Sequence, residues 1–287
     1  MPQMQEELSA PLAAAPGPDL PDQFRRRSEM FAPGVVNGVS SSKIVWVYAV
    51  AGGSGASASP GGHPLEPPVP GGWELPGLTG VGGEPVRTIP GAGLHAVVSS
   101  VDATAFGEDA LPGLLADLPL AETIGRTHHQ VIESVAAIGP VVPLRLATVY
   151  PDDGTVRSLL TEHRSDLADL LATFRDTQEW GVQVYLEPRA DGAADREPRW
   201  PRAEERAAGI DRALSEIALD SRRHPAPDLR LGPRGGWLVL NGVYLLSDVR
   251  AAEFGAVAQQ LAAEQEGLAA ELSGPWPPYS FVDQPGA

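Results

Sequence analysis

The chain has 287 residues, no cysteine and a formal net charge of -16. Without thiols it has no disulfides, thiolate nucleophiles or cysteine-based metal centres, and a reducing cytoplasm is the expected compartment. The excess of carboxylates speaks against nucleic acid or an anionic membrane surface as main partner, since neutralising phosphates takes clustered lysine and arginine.

Residues 1–42 are rich in Pro, Ala and Gly and read as a disordered N-terminal arm. Arg25-Arg26-Arg27 is not followed by the apolar stretch of roughly 7–15 residues that an export signal needs, because Pro33-Gly34 interrupts it. No apolar run approaches the ~18 residues of a membrane span, so no membrane association is expected. Lys43 to Val50 is β-branched and aromatic, a strand expected to be buried on both faces. Gly52 to Gly91 carries dense Gly and Pro and reads as a long flexible loop. Gly93 to Val101 reads as a second strand.

Leu120, Ile124, His128, Val131, Val135 and Ile138 recur at spacings of three and four, the stripe of an amphipathic helix, and Gly139-Pro140 stops it. Val141 to Leu146 reads as a short strand. A second amphipathic helix should turn Val156, Leu159, Leu160, Leu167, Leu170, Leu171 and Phe174 inward, with Asp152 or Asp153 as cap. Trp180 to Leu186 then completes a β-β-α-β-α-β order, an α+β sheet with helices on one face.

Residues 188–200 mix Pro, Gly and charges and read as a linker. Beyond it come a charged helix from Arg202 to Arg222, strands around Leu229–Leu231 and Trp237–Leu246, a helix from Val249 to Gln265 and a last strand from Gly267 to Leu272. The expected fold class is α+β with two domains, each a ferredoxin-like antiparallel sheet with helices packed on it. The first domain spans 43–187, including the 52–91 loop, and the second spans 201–287.

The second domain ends in Ser273-Gly274-Pro275-Trp276-Pro277-Pro278-Tyr279-Ser280-Phe281-Val282. Its prolines lack backbone donors and fix φ, so the segment is expected to be an extended, polyproline-like arm bearing three aromatics. Two readings stay open. The arm laps over its own domain and seals the core, as terminal aromatics usually do. Alternatively, it is a preformed docking strip for another chain.

Catalytic signatures fail on inspection. Gly91-Ala92-Gly93-Leu94-His95-Ala96 has dinucleotide-loop spacing, but it precedes a strand instead of opening a helix. His129 and Glu133 lie one turn apart on the expected helix, and two ligands do not make a metal site. His128, on the apolar stripe, reads as a hydrogen-bonded core or domain-interface histidine. Arg145 would be costly to bury unpaired, so it forms a structural ion pair or anchors a partner's carboxylate. Asp152-Asp153 and Glu204-Glu205 are sequence neighbours whose side chains point apart, unlike a glycosidase pair. No Gly-x-Ser-x-Gly elbow presents a nucleophile. No enzyme activity, cofactor or metal is expected.

Four blocks carry a family resemblance. They are Pro140-Val141-Val142-Pro143-Leu144-Arg145-Leu146-Ala147-Thr148-Val149-Tyr150, Glu179-Trp180-Gly181-Val182-Gln183-Val184, Leu240-Asn241-Gly242-Val243-Tyr244-Leu245-Leu246 and the closing Gly274–Phe281 run. In this order they resemble the gas vesicle protein F / gas vesicle protein L family, over about residues 43 to 283. Leu146-Ala147 stands where that pattern has Phe-Gly, and Gln183 where it has Lys. The resemblance implies the same two-domain plan and an accessory or minor structural protein of gas vesicles. It also implies binding to the hydrophobic major shell protein and to other accessory proteins during assembly, in the cytoplasm. Arg145, Trp276, Tyr279 and Phe281 are the expected partner-binding residues. The alternative is a small-ligand sensor with its site between two ferredoxin-like domains.

Overall fold

Lys43–Gly52 (β1) is the spine of the first sheet, with eight consecutive buried residues. Val45, Val47 and Val50 enter one core cluster, while Ile44, Trp46, Tyr48, Ala49 and Ala51 enter a second on the opposite face. The change of parity follows from a register shift between Val47 and Ala49, where one extra residue reverses the alternation. The structure, a computed structural model, describes residues 42–52, 75, 77–187, 199–224 and 236–282.

Around β1 lie Arg87–Gly91 (β2), Leu94–Asp102 (β3), Val141–Pro143 (β4) and Val149–Tyr150 (β5). The order is β2-β3-β1-β4, β5 also pairs with β1, and every pairing is antiparallel. Ala103–Phe106 (α1), Leu111–Ala116 (α2) and Leu118–Ala136 (α3) pack on one face, and Asp153–Glu162 (α4) and Arg164–Thr173 (α5) on the other. Helices therefore cover both faces of this sheet, not one.

The second sheet is built from Thr177–Leu186 (β6), Asp220–Arg223 (β7), Trp237–Ser247 (β8) and Leu268–Trp276 (β9), ordered β7-β8-β6-β9. Trp200–Ile217 (α6) and Asp248–Ala263 (α7) are its two crossover helices. This β-α-β-β-α-β antiparallel arrangement is ferredoxin-like. Val182, Val184, Leu186, Leu240, Tyr244 and Leu246 meet Ile210, Leu214, Phe254 and Ala258 of the helices in a third cluster. The fold class is thus α+β with two antiparallel sheets, and the first repeats the spatial strand order of the second.

The structure differs from the sequence reading at several points. The strand at Trp180–Leu186 belongs to the second sheet, where it pairs with both β8 and β9. The chain crosses between sheets at Phe174–Thr177, with Asp176 at φ 54. Strand periodicity marks a strand but not its neighbours. β2 lies inside the stretch read as loop; Pro90 is tolerated there because β2 is an edge strand. The single helix expected after Asp152 breaks at His163 (φ -101, ψ 18) into α4 and α5. Asp152 is the cap, its carboxylate accepting from the Thr155 N–H at 2.8 Å. The charged helix stops at Ile217, and Asp220–Arg223 becomes an edge strand. Leu120 and Ile138, expected on the inner stripe, are exposed because they flank the part of α3 that lies on the sheet. The expected arm at 1–41, loop residues 53–74, linker residues 188–198 and strand at Leu229–Leu231 fall outside the described residues.

One position yields a direct test. Ala147 has φ 67, left-handed backbone that costs an L-residue about 1–2 kcal/mol. It stands where the resembling pattern carries glycine. Ala147→Gly is expected to stabilise the chain by about 0.5–1 kcal/mol in urea unfolding, the relief of strain exceeding the entropic cost of glycine. A loss of stability would instead make the packing of the Ala147 methyl on the core the larger effect.

Candidate functional site: an aromatic strap across the seam between the sheets

The C-terminal segment is not an extended polyproline arm. β9 runs on through Trp276, which pairs with Glu179 of β6, and Tyr279–Phe281 form one 3-10 turn after Pro277-Pro278. Gly274, at φ 123, lets the strap bend here: a Cβ would lie 2.9 Å from the Glu179 carbonyl oxygen.

The turn sends its aromatics in different directions. Phe281 is 4% exposed and, with Val282, joins a cluster that contains Val45, Leu144, Tyr150, Leu170 and Phe174 from the first unit and Val243 and Leu245 from β8. The strap therefore closes the seam between the two sheets. Phe281, expected to meet a partner, is core instead, because this apolar seam removes its ring from water. The Arg222 guanidinium sits over the ring, 5.3 Å from its centroid.

Polar contacts hold the strap on both sides. On the second sheet, Ser280 donates its backbone N–H and its hydroxyl to the two carboxylate oxygens of Glu179, at 2.7 and 2.8 Å. Burial pushes the Glu179 pKa up, while the Ser280 bonds and the Arg222 charge oppose that rise. On the first unit, the Tyr279 hydroxyl meets Nδ1 of His129 on α3 at 2.7 Å. Burial, then the charges of Glu133 and Glu179, push the phenol pKa up and keep it protonated. The other ring nitrogen of His129 lies 3.2 Å from Glu133 Oε1, and the Trp276 ring is 5.3 Å from the imidazole. Trp276 remains 38% exposed, the strap's outward aromatic.

The preceding residue on α3 faces inward. The Trp46 indole N–H donates to His128 Nδ1 at 3.0 Å, so Nε2 carries the proton and donates to the Leu144 carbonyl at 3.0 Å. Burial lowers the His128 pKa to about 4, against the Leu144 bond, which works the other way. This is the hydrogen-bonded core histidine expected from the helical stripe. Arg145 follows Leu144 on the turn to β5; it is half-buried, which lowers its pKa, and its carbonyl accepts from the Thr148 N–H and hydroxyl.

Of the four residues expected to contact partners, the structure gathers Trp276 and Tyr279 around His129, places Phe281 in the core and leaves Arg145 on a separate turn. His129, Glu179, Ser280 and Arg222 complete the strap. Sequence reasoning did not assign them to it, although the Ser-Phe of the closing block and the Glu-Trp-Gly block were both in view. Among the described residues, no group of three or more His, Asp or Glu side chains is arranged to hold a metal ion, and no helix is long and apolar enough to cross a membrane.

Two antiparallel sheets, the second ferredoxin-like, joined by a C-terminal aromatic strap, define a two-unit α+β protein. Comparison with known proteins shows its family. The family model "Gas vesicle synthesis protein GvpL/GvpF" matches residues 44–199 and 189–283, and the chain belongs to this family. It is 33% identical to gas vesicle protein L of Streptomyces sp. (strain CB03234) over 231 residues, 72% of this chain and 86% of that protein. It is 27% identical to gas vesicle protein F of the same strain, covering 61% and 86%. Gas vesicle protein F1 of Halobacterium salinarum is 26% identical, covering 70% and 83%. Among solved structures, gas vesicle protein GvpF from Anabaena sp. PCC7120 superposes with a TM-score of 0.56 at 16% identity, covering 84% of this chain and 96% of that one. GvpF from Microcystis aeruginosa superposes at 0.53 and 15%, covering 84% and 99%.

Proposed function

We propose that this gas vesicle family member is a non-catalytic, cytoplasmic assembly factor that binds the hydrophobic major shell protein and other accessory proteins while the vesicle forms. Nascent shell subunits expose apolar surface that would otherwise aggregate, and a partner that covers it transiently favours ordered growth. The observation that carries this reading is Trp276. Its indole is held at a fixed place by His129 and by β-pairing to Glu179, yet 38% of the residue stays in water. A preordered aromatic loses little entropy on binding and is the residue type that dominates interface energetics. Tyr279 and Phe281 anchor the strap that carries the indole, and Arg145, on the turn between β4 and β5, is the second residue assigned to partner contact.

The test is capture of the major shell protein by tagged wild-type chain and by Trp276→Ala. Loss of about 2 kcal/mol, roughly thirtyfold in affinity, is expected for an interface anchor. The variant's thermal unfolding should stay close to wild type, since the ring lies outside the core clusters. Equal capture by both proteins would move the binding surface away from the strap. No capture by wild type would overturn shell-protein binding itself.

A further inference from the structure

Among the described residues eight large apolar side chains are exposed, and three of them, Leu115, Leu118 and Leu120, fall within six positions at the corner between α2 and α3. Leu118 is 69% exposed and Leu120 42%. The corner is anchored from beneath: Phe106, Leu111 and Leu114 pack on the core cluster of the first sheet, and the Asp117 carboxylate caps α3 by accepting from the Leu120 N–H at 3.2 Å. Its leucines are thus presented on fixed backbone. From His129, where the strap docks, Leu118 is eleven residues along α3, roughly 16 Å at 1.5 Å per residue.

The charge along this stretch of chain has one sign. From Ala103 to Gly125 there is no lysine, arginine or histidine, while Glu108, Asp109, Asp117 and Glu122 are all exposed. Glu122 pairs with Arg126 one turn on, which leaves three rim carboxylates without a basic neighbour in this stretch. A leucine face rimmed by carboxylates discriminates between occupants. A second copy docked face to face would bring like charges together, and an anionic bilayer would be repelled.

We propose that the α2–α3 corner is a second docking surface, and that its partner is a basic amphipathic helix, with an apolar stripe for the leucines and flanking Lys or Arg for the rim. This goes beyond binding at the strap, since the surface lies elsewhere on α3. It also gives the chain two contact points, so that one molecule can hold two partners at once.

The probe is a fluorescently labelled 18-residue Leu/Lys amphipathic peptide, with a Leu/Glu peptide of identical pattern as control, titrated into full-length chain at 0.15 M salt. The Leu/Lys peptide is expected to bind and the Leu/Glu peptide to fail. Leu118→Gln/Leu120→Gln should weaken binding at least about tenfold with unchanged circular dichroism, because two leucines exposed in the free protein are lost from the contact. Unchanged binding by this variant would overturn the proposal, reducing the effect to bulk charge. Equal binding of both peptides would overturn the role of the acidic rim. Binding that emerges only after residues 1–41 are removed would assign the corner to a segment within residues 1–41 of this chain and overturn the foreign partner.

Discussion

Phe281→Ala is expected to destabilise the protein by about 3–5 kcal/mol, the range for truncating a fully buried phenylalanine. The ring is 4% exposed and touches a cluster drawn from both units. Its removal leaves a cavity that α5, β5 and β8 cannot close independently, and it frees Arg222 from its stacking partner. Urea unfolding measures the loss, and hydrogen exchange locates it. Protection should fall in α5 and β8 together, since one side chain holds both. A loss below about 1 kcal/mol, or exchange confined to the second sheet, would mean that the strap is a local seal and not a joint. Deleting everything after Ser273 removes Phe281, Val282 and Trp276 at once, so it cannot separate folding from binding. Pairing Phe281→Ala with Trp276→Ala does separate them: the first should cost stability, the second capture.

Acid is expected to weaken the fold through His128. Its folded pKa is about 4, against an ordinary value of 6.5, because burial disfavours the imidazolium and both nitrogens are already committed in the neutral form. A depressed histidine pKa means that the unfolded chain binds the proton first. The stabilising contribution is therefore complete above pH 6.5 and is lost progressively as pH falls towards 4. That depression corresponds to about 3 kcal/mol lost between neutral pH and pH 4. Glu179 acts in the opposite sense. Its raised pKa makes the folded state bind its proton first, so its contribution grows as pH falls towards the ordinary carboxylate range. Comparing wild type with His128→Gln isolates the histidine. The variant should be less stable at pH 7, having lost the paired ring, but its stability should change by about 3 kcal/mol less between pH 7 and pH 4. Parallel stability–pH curves for the two proteins would rule out His128 as the acid-sensitive group.

Much of this protein was legible in local pattern. The β-branched run at Lys43–Val50 demanded a strand buried on both faces, and β1 is one. Spacings of three and four from Ile124 to Val135 specified the inner stripe of α3, with His128 among the core residues. Dispersed short blocks carried the family, and the terminal aromatics marked the segment that became the strap. Such features are local: side-chain period, turn residues and composition report which face of an element is apolar.

Tertiary structure alone decided which elements became neighbours. β6 joined the second sheet because β8 and β9 offer it backbone partners on both sides, a fact that no alternation of residues within β6 encodes. The strap's aromatics are chemically alike in sequence, yet one is core, one is hydrogen-bonded and one faces water. His129 meets Tyr279 across 150 residues and Glu179 meets Ser280 across 101, so neither contact leaves a periodic trace. Burial and pairing across such separations depend on how the units close on each other, which is why the joint emerged only with the fold.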